Sequence, residues 1–347
     1  MSLSELPRVD EHATLRDAVQ IIQDFAVSVC LLEDADHRLV GTLSDGDVRR
    51  AFLAGASLDG PARPWANTHP STVLAGTERS AVLDLMQALG VPQIPEVGVD
   101  GRVVRLHLLR NIVGGPSRSN VAVILAGGRG TRLRPATGDL PKPMVPVAGR
   151  PILERLVLHL VGSGISDVRL AVGYGADVIE RHFGNGKRFG CRITYLREEQ
   201  PLGTAGPLRG LLDASLDQPI IVLNGDLVTS FSVSGLLSAH GSTGAVLTVA
   251  GTDYAHEVPY GVLATDGEDG RVVGLSEKPT WIGTVNAGVY AVEPRLLTDI
   301  PEGRSVPMTE LIEHCIERGD RVTAWRTVGE WHDIGRPDDL ARAQGMD

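Results

Sequence analysis

The sequence predicts an α/β fold in two parts, a small repeated β/α module followed by a larger domain on a mixed, mostly parallel sheet. Three observations carry this. Short apolar runs alternate with helical segments after residue 120, the pattern of strands covered on both faces. A Gly/Pro/Ser stretch, Gly114-Gly115-Pro116-Ser117-Arg118-Ser119-Asn120, interrupts the chain just before that alternation. Ahead of it, a pattern recurs with a period of about 63 residues. The chain's 347 residues suit about two domains at roughly 150 residues each. The expected boundaries are 1–115 for the repeated module, 116–120 for a linker and 121–347 for the larger domain.

In the first part, Thr14 to Ile22 answers Thr77 to Leu85, each an amphipathic helix opened by Thr as N-cap. Each is followed by an apolar strand, a turn led by Asp36 or Asp100, and a strand running into a second helix. Neither copy can hold a core alone, so the two are expected to pack together. In the second part, Val121–Ala126 reads as a strand ending in glycines, Pro151–Val161 as a helix and Val168–Val172 as a strand. Ala176–Phe183 follows as a helix stopped by Gly184, then Cys191–Leu196 as a strand, a helix over Pro207–Leu212 and a buried strand at Ile220–Leu223. The remainder is strand-rich (Tyr260–Ala264, Arg271–Leu275, Val285–Val292, Val322–Trp325), with helices at Met308–Arg318 and Pro337–Gln344.

Composition removes several classes of function. Net charge is -10, and a phosphate backbone needs a basic footprint, so nucleic acid is not expected as a partner. Aromatics at 4% leave few platforms for stacking on bases. Cys30, Cys191 and Cys315 are odd in number and widely spaced, against a disulfide framework or a zinc site. No signal peptide and no apolar run near the ~20 residues of a membrane span is read, so the expected location is the cytoplasm, with no membrane partner. Lysine occurs only at Lys142, Lys187 and Lys278, the other thirty of the 33 basic residues being arginine. Two of these lysines precede proline, in Pro141-Lys142-Pro143 and Glu277-Lys278-Pro279. A compact ammonium suits a single phosphate oxygen in a tight site.

The strongest motif is Leu125-Ala126-Gly127-Gly128-Arg129-Gly130-Thr131-Arg132-Leu133-Arg134-Pro135. It follows a buried strand, where backbone amides in a glycine-rich turn can cradle phosphate oxygens. It lacks the Gly-Lys-Ser/Thr ending of a P-loop, and Leu133 stands where a dinucleotide-binding loop needs its third glycine. Arg132 and Lys142 add cations beside the turn. Asp226 follows a buried strand in Asn224-Gly225-Asp226, and Asp333 lies in Trp331-His332-Asp333-Ile334-Gly335.

Leu125–Arg134 together with Pro141-Lys142-Pro143-Met144 resembles the signature of the sugar-phosphate nucleotidyltransferases, and the resemblance runs from about Val121 to the C-terminus. It implies a Rossmann-like nucleotidyltransferase domain in which a nucleoside triphosphate and a sugar 1-phosphate give a nucleotide sugar and pyrophosphate. Carried onto this chain, Leu125, Ala126, Gly127, Gly128 and Gly130 would bind the nucleotide. Arg132, Lys142 and Asp226 would be the catalytic set, and Asp226 with Asp333 would hold Mg²⁺. Gly261, Glu277, Lys278 and Asn286 resemble the sugar-phosphate segments. Gln200-Pro201-Leu202-Gly203-Thr204-Ala205-Gly206-Pro207 resembles the base-recognition loop, with Gln200, Gly203 and Thr204 as contacts. Its wording is most similar to mannose- and heptose-1-phosphate guanylyltransferases, so GTP is the favoured donor. UTP, dTTP or CTP would be the alternatives within the same reaction. A non-catalytic subunit that binds nucleotide sugars is the alternative of another class.

The N-terminal repeat resembles a pair of CBS modules. Gly41-Thr42-Leu43-Ser44-Asp45-Gly46-Asp47 is similar to the segment in which Ser44 and Asp47 would hold an adenosyl ribose and phosphate. The second copy departs from it, with Arg105 where Gly41 stands, Leu108 for Ser44 and Asn111 for Asp47. Paired modules of this type imply a homo-oligomer.

Overall fold

The computed structural model describes residues 6–113, 117–130, 140–147, 149–267, 269–327, 331–335 and 337–343. Two compact units emerge, Met1–Pro116 and Ser117–Asp347. The first contains β1 (Arg8–Asp10), α1 (Leu15–Asp24), β2 (Val29–Glu33), β3 (Leu39–Ser44) and α2 (Asp45–Leu53). The same order then repeats as β4 (Val73–Leu74), α3 (Arg79–Leu89), β5 (Gln93–Val97), β6 (Val103–Leu108) and α4 (Leu109–Val113). Each copy forms a three-stranded sheet with one parallel and one antiparallel pair. Thr14 caps α1 through a capping box, its hydroxyl accepting from Asp17 N and the Asp17 carboxylate accepting from Thr14 N. The expected cap at Thr77 is not formed. Glu78 is the N-cap there, and Thr77 donates instead to Leu74 O at 2.7 Å, closing the preceding turn.

The ladders align the two copies residue by residue. Leu32 pairs with Gly41 as Glu96 pairs with Arg105, and Val29 pairs with Ser44 as Gln93 pairs with Leu108. The two copies share a core in which Val29 and Leu31 pack with Val103, Leu106 and Leu108. Burial of those five side chains from both copies explains why neither is complete alone.

In the second unit, β7 (Arg118–Leu125), β8 (Pro146–Val147) and β9 (Arg150–Pro151) precede α5 (Ile152–Gly162). Then come β10 (Ile165–Val172), α6 (Ala176–Phe183), β11 (Arg192–Arg197), β12 (Ile220–Asn224) and β13 (Leu227–Thr229). The chain continues through α7 (Val233–Thr243), β14 (Leu247–Glu257), β15 (Val262–Asp266), β16 (Arg271–Ser276) and β17 (Thr280–Val292). It ends with α8 (Met308–Glu317), β18 (Val322–Arg326), β19 (Trp331–Asp333) and α9 (Pro337–Ala343). Seven strands form the central sheet in the order β11-β10-β7-β12-β17-β14-β18, antiparallel only where β17 meets β12 and β14. Val123, Ile220, Val222, Leu247 and Val292 are fully or almost fully buried on one side of it, under Leu208, Leu211, Met308 and Leu311.

The expected linker over 116–120 is shorter than the composition suggested. Arg118–Asn120 already belong to β7, because Arg118 N donates to Gly164 O and the buried Asn120 amide donates to Pro219 O. The segment read as a helix at Pro207–Leu212 is a 3₁₀ stretch, Gly206–Leu211. Apart from the short strands β1, β4, β8, β9, β13 and β19, the elements with no sequence-based expectation are α7 and β14. α7 contains Gly235 and Gly241, poor helix residues, but a Cβ at Gly235 would come within 2.9 Å of the Trp325 ring. Among the described residues no helix is long and apolar enough to cross a membrane.

Candidate active site

The carboxyl ends of β7, β10, β11 and β12 converge, the place where open α/β sheets bind ligands. Here the chain turns are tied strand to strand. Ala126 N donates to Ala171 O, Tyr174 N to Gly127 O, Glu198 N to Val172 O, and Gly225 N to Leu125 O at 2.9 Å. The last contact explains Gly225, since a Cβ there would sit 2.6 Å from Leu125 O. Of the glycine-rich loop, residues 126–130 are described; Arg132 lies outside the described residues. Gly130 has φ +54, and a Cβ on it would lie 2.7 Å from Lys142 Cβ. The loop therefore packs directly on the lysine predicted to serve it.

Lys142 opens a short 3₁₀ turn, Lys142–Met144, with Pro141 before it and a buried Pro143 within it. Its side chain is 12% exposed and its ammonium donates to the Asp226 carboxylate, with Asp333 Oδ1 3.9 Å away. The two aspartates reach it from paired backbone: β13 and β19 run antiparallel with Leu227 opposite Asp333, and Ile334 N donates to Asp226 O. A cation thus already stands between two carboxylates, the donor chemistry of a divalent-metal site. Among the described residues no cluster of three or more His, Cys, Asp or Glu is formed. Two carboxylates are the protein's share here, a set that suits Mg²⁺, which completes its shell with water and phosphate oxygens.

The loop after β11 is braced by the segment before α8. Gln200 donates to Gly303 O, Val306 N to Leu202 O, and Ala205 N to Val306 O, while Thr204 Oγ1 accepts from Met308 N. Gly203 has φ +77, and a Cβ there would lie 2.5 Å from Val306 O. Thr204 is thereby engaged at the start of α8, and Gly203 lets the loop's backbone pack closely on Val306.

The sugar-phosphate segments are brought together in two groups. Gly261 faces Glu277, whose Oε2 would be 2.9 Å from a Cβ at 261. Lys278 follows with the uncommon φ of +45. Separately, Asn286 Oδ1 accepts from Gly288 N and its Nδ2 donates to the Tyr290 hydroxyl. That fixes a turn in which Gly288, φ +71, rests on Asn224. Trp331 Nε1 donates to Ala287 O, coupling β19 to the same turn.

A nucleotidyl transferase family model matches residues 121–347. The chain belongs to this family. A CBS-domain model matches residues 2–54, placing a CBS domain at the N-terminus. The chain is similar to a mannose-1-phosphate guanylyltransferase of Mycobacterium tuberculosis, 37% identical over 64% of this chain and 62% of the relative. It is also similar to the mannose-1-phosphate guanylyltransferase catalytic subunit beta of Danio rerio, 36% identical over 65% of this chain and 64% of that protein. The chain therefore matches under two thirds of these relatives' length. Among solved structures, HddC from Yersinia pseudotuberculosis aligns with TM-score 0.52 and 29% identity, covering 65% of this chain and 98% of that one. A crystal structure of HddC complexed with GMP-PN aligns similarly, at 28% identity.

Two residues at these strand ends were not singled out in the sequence. Glu198 is half-buried: Oε2 accepts from Leu202 N at 2.9 Å, and Oε1 lies against Gly127, 2.4 Å from where a Cβ would be. Burial raises its carboxyl above the ordinary value of 4.5, opposed by the Leu202 hydrogen bond. Glu198 and Leu202 also line a cleft of about 550 Å³. Asn224 is the other, with a buried Oδ1 that has no hydrogen-bond partner. The signal for Glu198 was its place two residues before Gln200, at the end of a predicted strand.

Proposed function

We propose that the chain transfers a guanylyl group from GTP to a sugar 1-phosphate, mannose 1-phosphate first among them, releasing pyrophosphate. The observation that carries the reading is the Lys142 ammonium set between Asp226 and Asp333 beside the glycine-rich loop. In this reaction a sugar-phosphate oxygen attacks the α-phosphorus in line. One P–O bond forms as the bond to the β-phosphate's bridging oxygen breaks, and pyrophosphate carries the electron pair away. Both substrates are anions, so positioning and charge neutralisation dominate and no covalent intermediate is required.

The residues divide this work. The backbone from Leu125 to Gly130 receives the nucleotide, and Arg132 grips the leaving phosphates. Lys142 bridges the α-phosphate and the incoming sugar phosphate. Lys278 holds that phosphate, and Glu277 accepts sugar hydroxyls beside Gly261 and Asn286. Asp226 and Asp333 would hold Mg²⁺, which supplies neutralisation of phosphate charge when bound.

The Glu198 carboxylate favours guanine. Guanine offers N1–H and an exocyclic amine side by side, and a carboxylate accepts both. Thymine and uracil present one such donor, and cytosine's amine lies beside an acceptor nitrogen. Gly203 and Thr204, with Gln200, belong to the same loop and would contact the base from it. The three cysteines are free and buried, which accords with a cytoplasmic location.

A matrix of nucleoside triphosphates against sugar 1-phosphates, with products identified by mass, tests the reading. A GDP-sugar formed in Mg²⁺ is the expected product. Absence of turnover with every pair, alongside measurable nucleotide-sugar binding, would instead favour the non-catalytic subunit.

A further inference from the structure

Asn224 ends an apolar run. Ile220, Ile221, Val222 and Leu223 are fully buried in β12, and a leucine at 224 would continue the run at no polar cost. The chain places an amide there instead. Its Oδ1 is enclosed and has no hydrogen-bond partner, which costs folding free energy because the oxygen has lost water and gained nothing. An orphaned polar atom of this kind calls for an explanation in function. The residue as a whole is only partly buried, so the other end of the amide, Nδ2, is the one that meets the surface.

That end is placed from two sides. Asn224 pairs with Leu125, the last residue of β7 before the glycine-rich loop. Opposite, it supports the turn of the sugar-phosphate segment, where a Cβ at Gly288 would lie 2.6 Å from Asn224 Nδ2 and 3.0 Å from its Cγ. Asn286, the other amide of this turn, is already committed. Its Oδ1 accepts from Gly288 N and its Nδ2 donates to the hydroxyl of the buried Tyr290, both at 2.9 Å. Asn286 therefore holds the turn, and Asn224 is the amide placed to donate outward from it.

Asp226, two residues on, holds the Lys142 ammonium. Two residues of extended chain span about 7 Å, so whatever Asn224 Nδ2 contacts lies close to a phosphate at Lys142. Of the hydroxyls of a sugar 1-phosphate, the one on C2 is adjacent to the carbon that carries the phosphate.

We propose that Asn224 is a specificity residue for the sugar, its Nδ2 donating to the C2 hydroxyl of the sugar 1-phosphate while Asn286 positions the turn beside it. This rests on the nucleotidyl-transfer reading and adds the atom by which the acceptor is recognised.

The test compares mannose 1-phosphate with its 2-deoxy analogue on the full chain, with GTP as donor. Wild type should favour mannose 1-phosphate by about tenfold in kcat/KM, the scale of one neutral hydrogen bond. Asn224→Leu should raise KM for mannose 1-phosphate about tenfold, leave KM for GTP unchanged and treat the two sugars alike. Its melting temperature should be unchanged or higher, because the orphaned oxygen is gone. Asn286→Ala should lower the melting temperature and the turnover of both sugars while keeping the preference between them. Calorimetry of each sugar phosphate with the chain, in GTP and a metal chelator, reads the same preference without turnover. A chain that binds with this preference yet forms no GDP-sugar counts against nucleotidyl transfer and not against Asn224. Equal use or equal binding of the two sugars by wild type overturns the proposal, as does an Asn224→Leu variant that keeps the preference. Binding of neither sugar phosphate overturns both.

Discussion

Lys142 and Asp226 form an ion pair at the base of the glycine-rich loop, and the same ammonium lies 3.9 Å from Asp333. One cation therefore neutralises two carboxylates that β13 and β19 hold side by side. Asp226→Asn and Asp333→Asn should each leave the fold intact, because their side chains are 26% and 52% exposed. Each should lower turnover by at least ~10²-fold, the scale of removing one preorganised electrostatic contact. Initial rates in saturating Mg²⁺ decide this, and a near-normal rate in either variant would remove that aspartate from the reaction.

Lysine and arginine are not equivalent at position 142. The side chain is held in a proline-bracketed turn, packed on Gly130 and largely buried. A guanidinium is wider and presents a planar fork where a single point donor fits. Lys142→Arg should therefore lose most activity despite keeping its charge. Lys187, exposed in a short 3₁₀ turn after α6, should accept the same change silently. Parallel rate measurements on both variants test the distinction, and equal tolerance would refute it.

Much of this site was legible because its chemistry is local in sequence. The glycine loop and Asn224-Gly225-Asp226 each follow a strand read from its apolar run, and the wording of the loop with Pro141-Lys142-Pro143 carried the family resemblance. What could not be read was which distant residues meet. Trp331 bonding to Ala287 O, and Gly288 resting on Asn224, depend on sheet order, which no local pattern encodes. β14 escaped notice because its inner half is buried while its outer half, Asp253–Glu257, is exposed and polar, so neither alternation nor a continuous apolar run persists. α7 was obscured by two glycines, at least one of which serves tertiary packing against Trp325.

If Glu198 reads guanine as proposed, base choice should depend on pH. Its carboxyl titrates above the ordinary value of 4.5 because burial penalises the charge. The ionised form is the one that accepts from guanine N1–H and the exocyclic amine, so GTP affinity should fall as pH drops through that raised value. Stability runs the other way. A raised folded-state pKa favours the protonated protein, so its contribution is full below 4.5 and is lost as pH rises through the folded value. Glu198→Gln keeps the acceptor for Leu202 N but exchanges one acceptor oxygen for an amine. It should abolish both pH effects and cost on the order of 10²-fold in kcat/KM for GTP relative to other triphosphates. Unchanged base preference in the variant would remove Glu198 from recognition.

The N-terminal unit allows at most one adenosyl-type site per chain in our reading, and the structure changes how that should be tested. Asp47 is the third residue of α2 and closes the capping box that Ser44 opens. Its carboxylate accepts from Ser44 N and Ser44 Oγ while pairing with Arg50. In the second copy Leu108 and Asn111 occupy the aligned positions, and no such box can form. Asp47→Ala would remove the N3 half of the capping box, and so destabilise α2, whether or not any ligand binds there. Asp47→Asn keeps a carbonyl acceptor for Ser44 and withdraws the charge, separating the two roles. Calorimetry of the full chain with AMP should give no more than one site per chain, lost in Asp47→Asn while the melting temperature moves by only a few degrees. Two sites per chain, or binding undisturbed by Asp47→Asn, would show that Ser44 and Asp47 serve α2 alone.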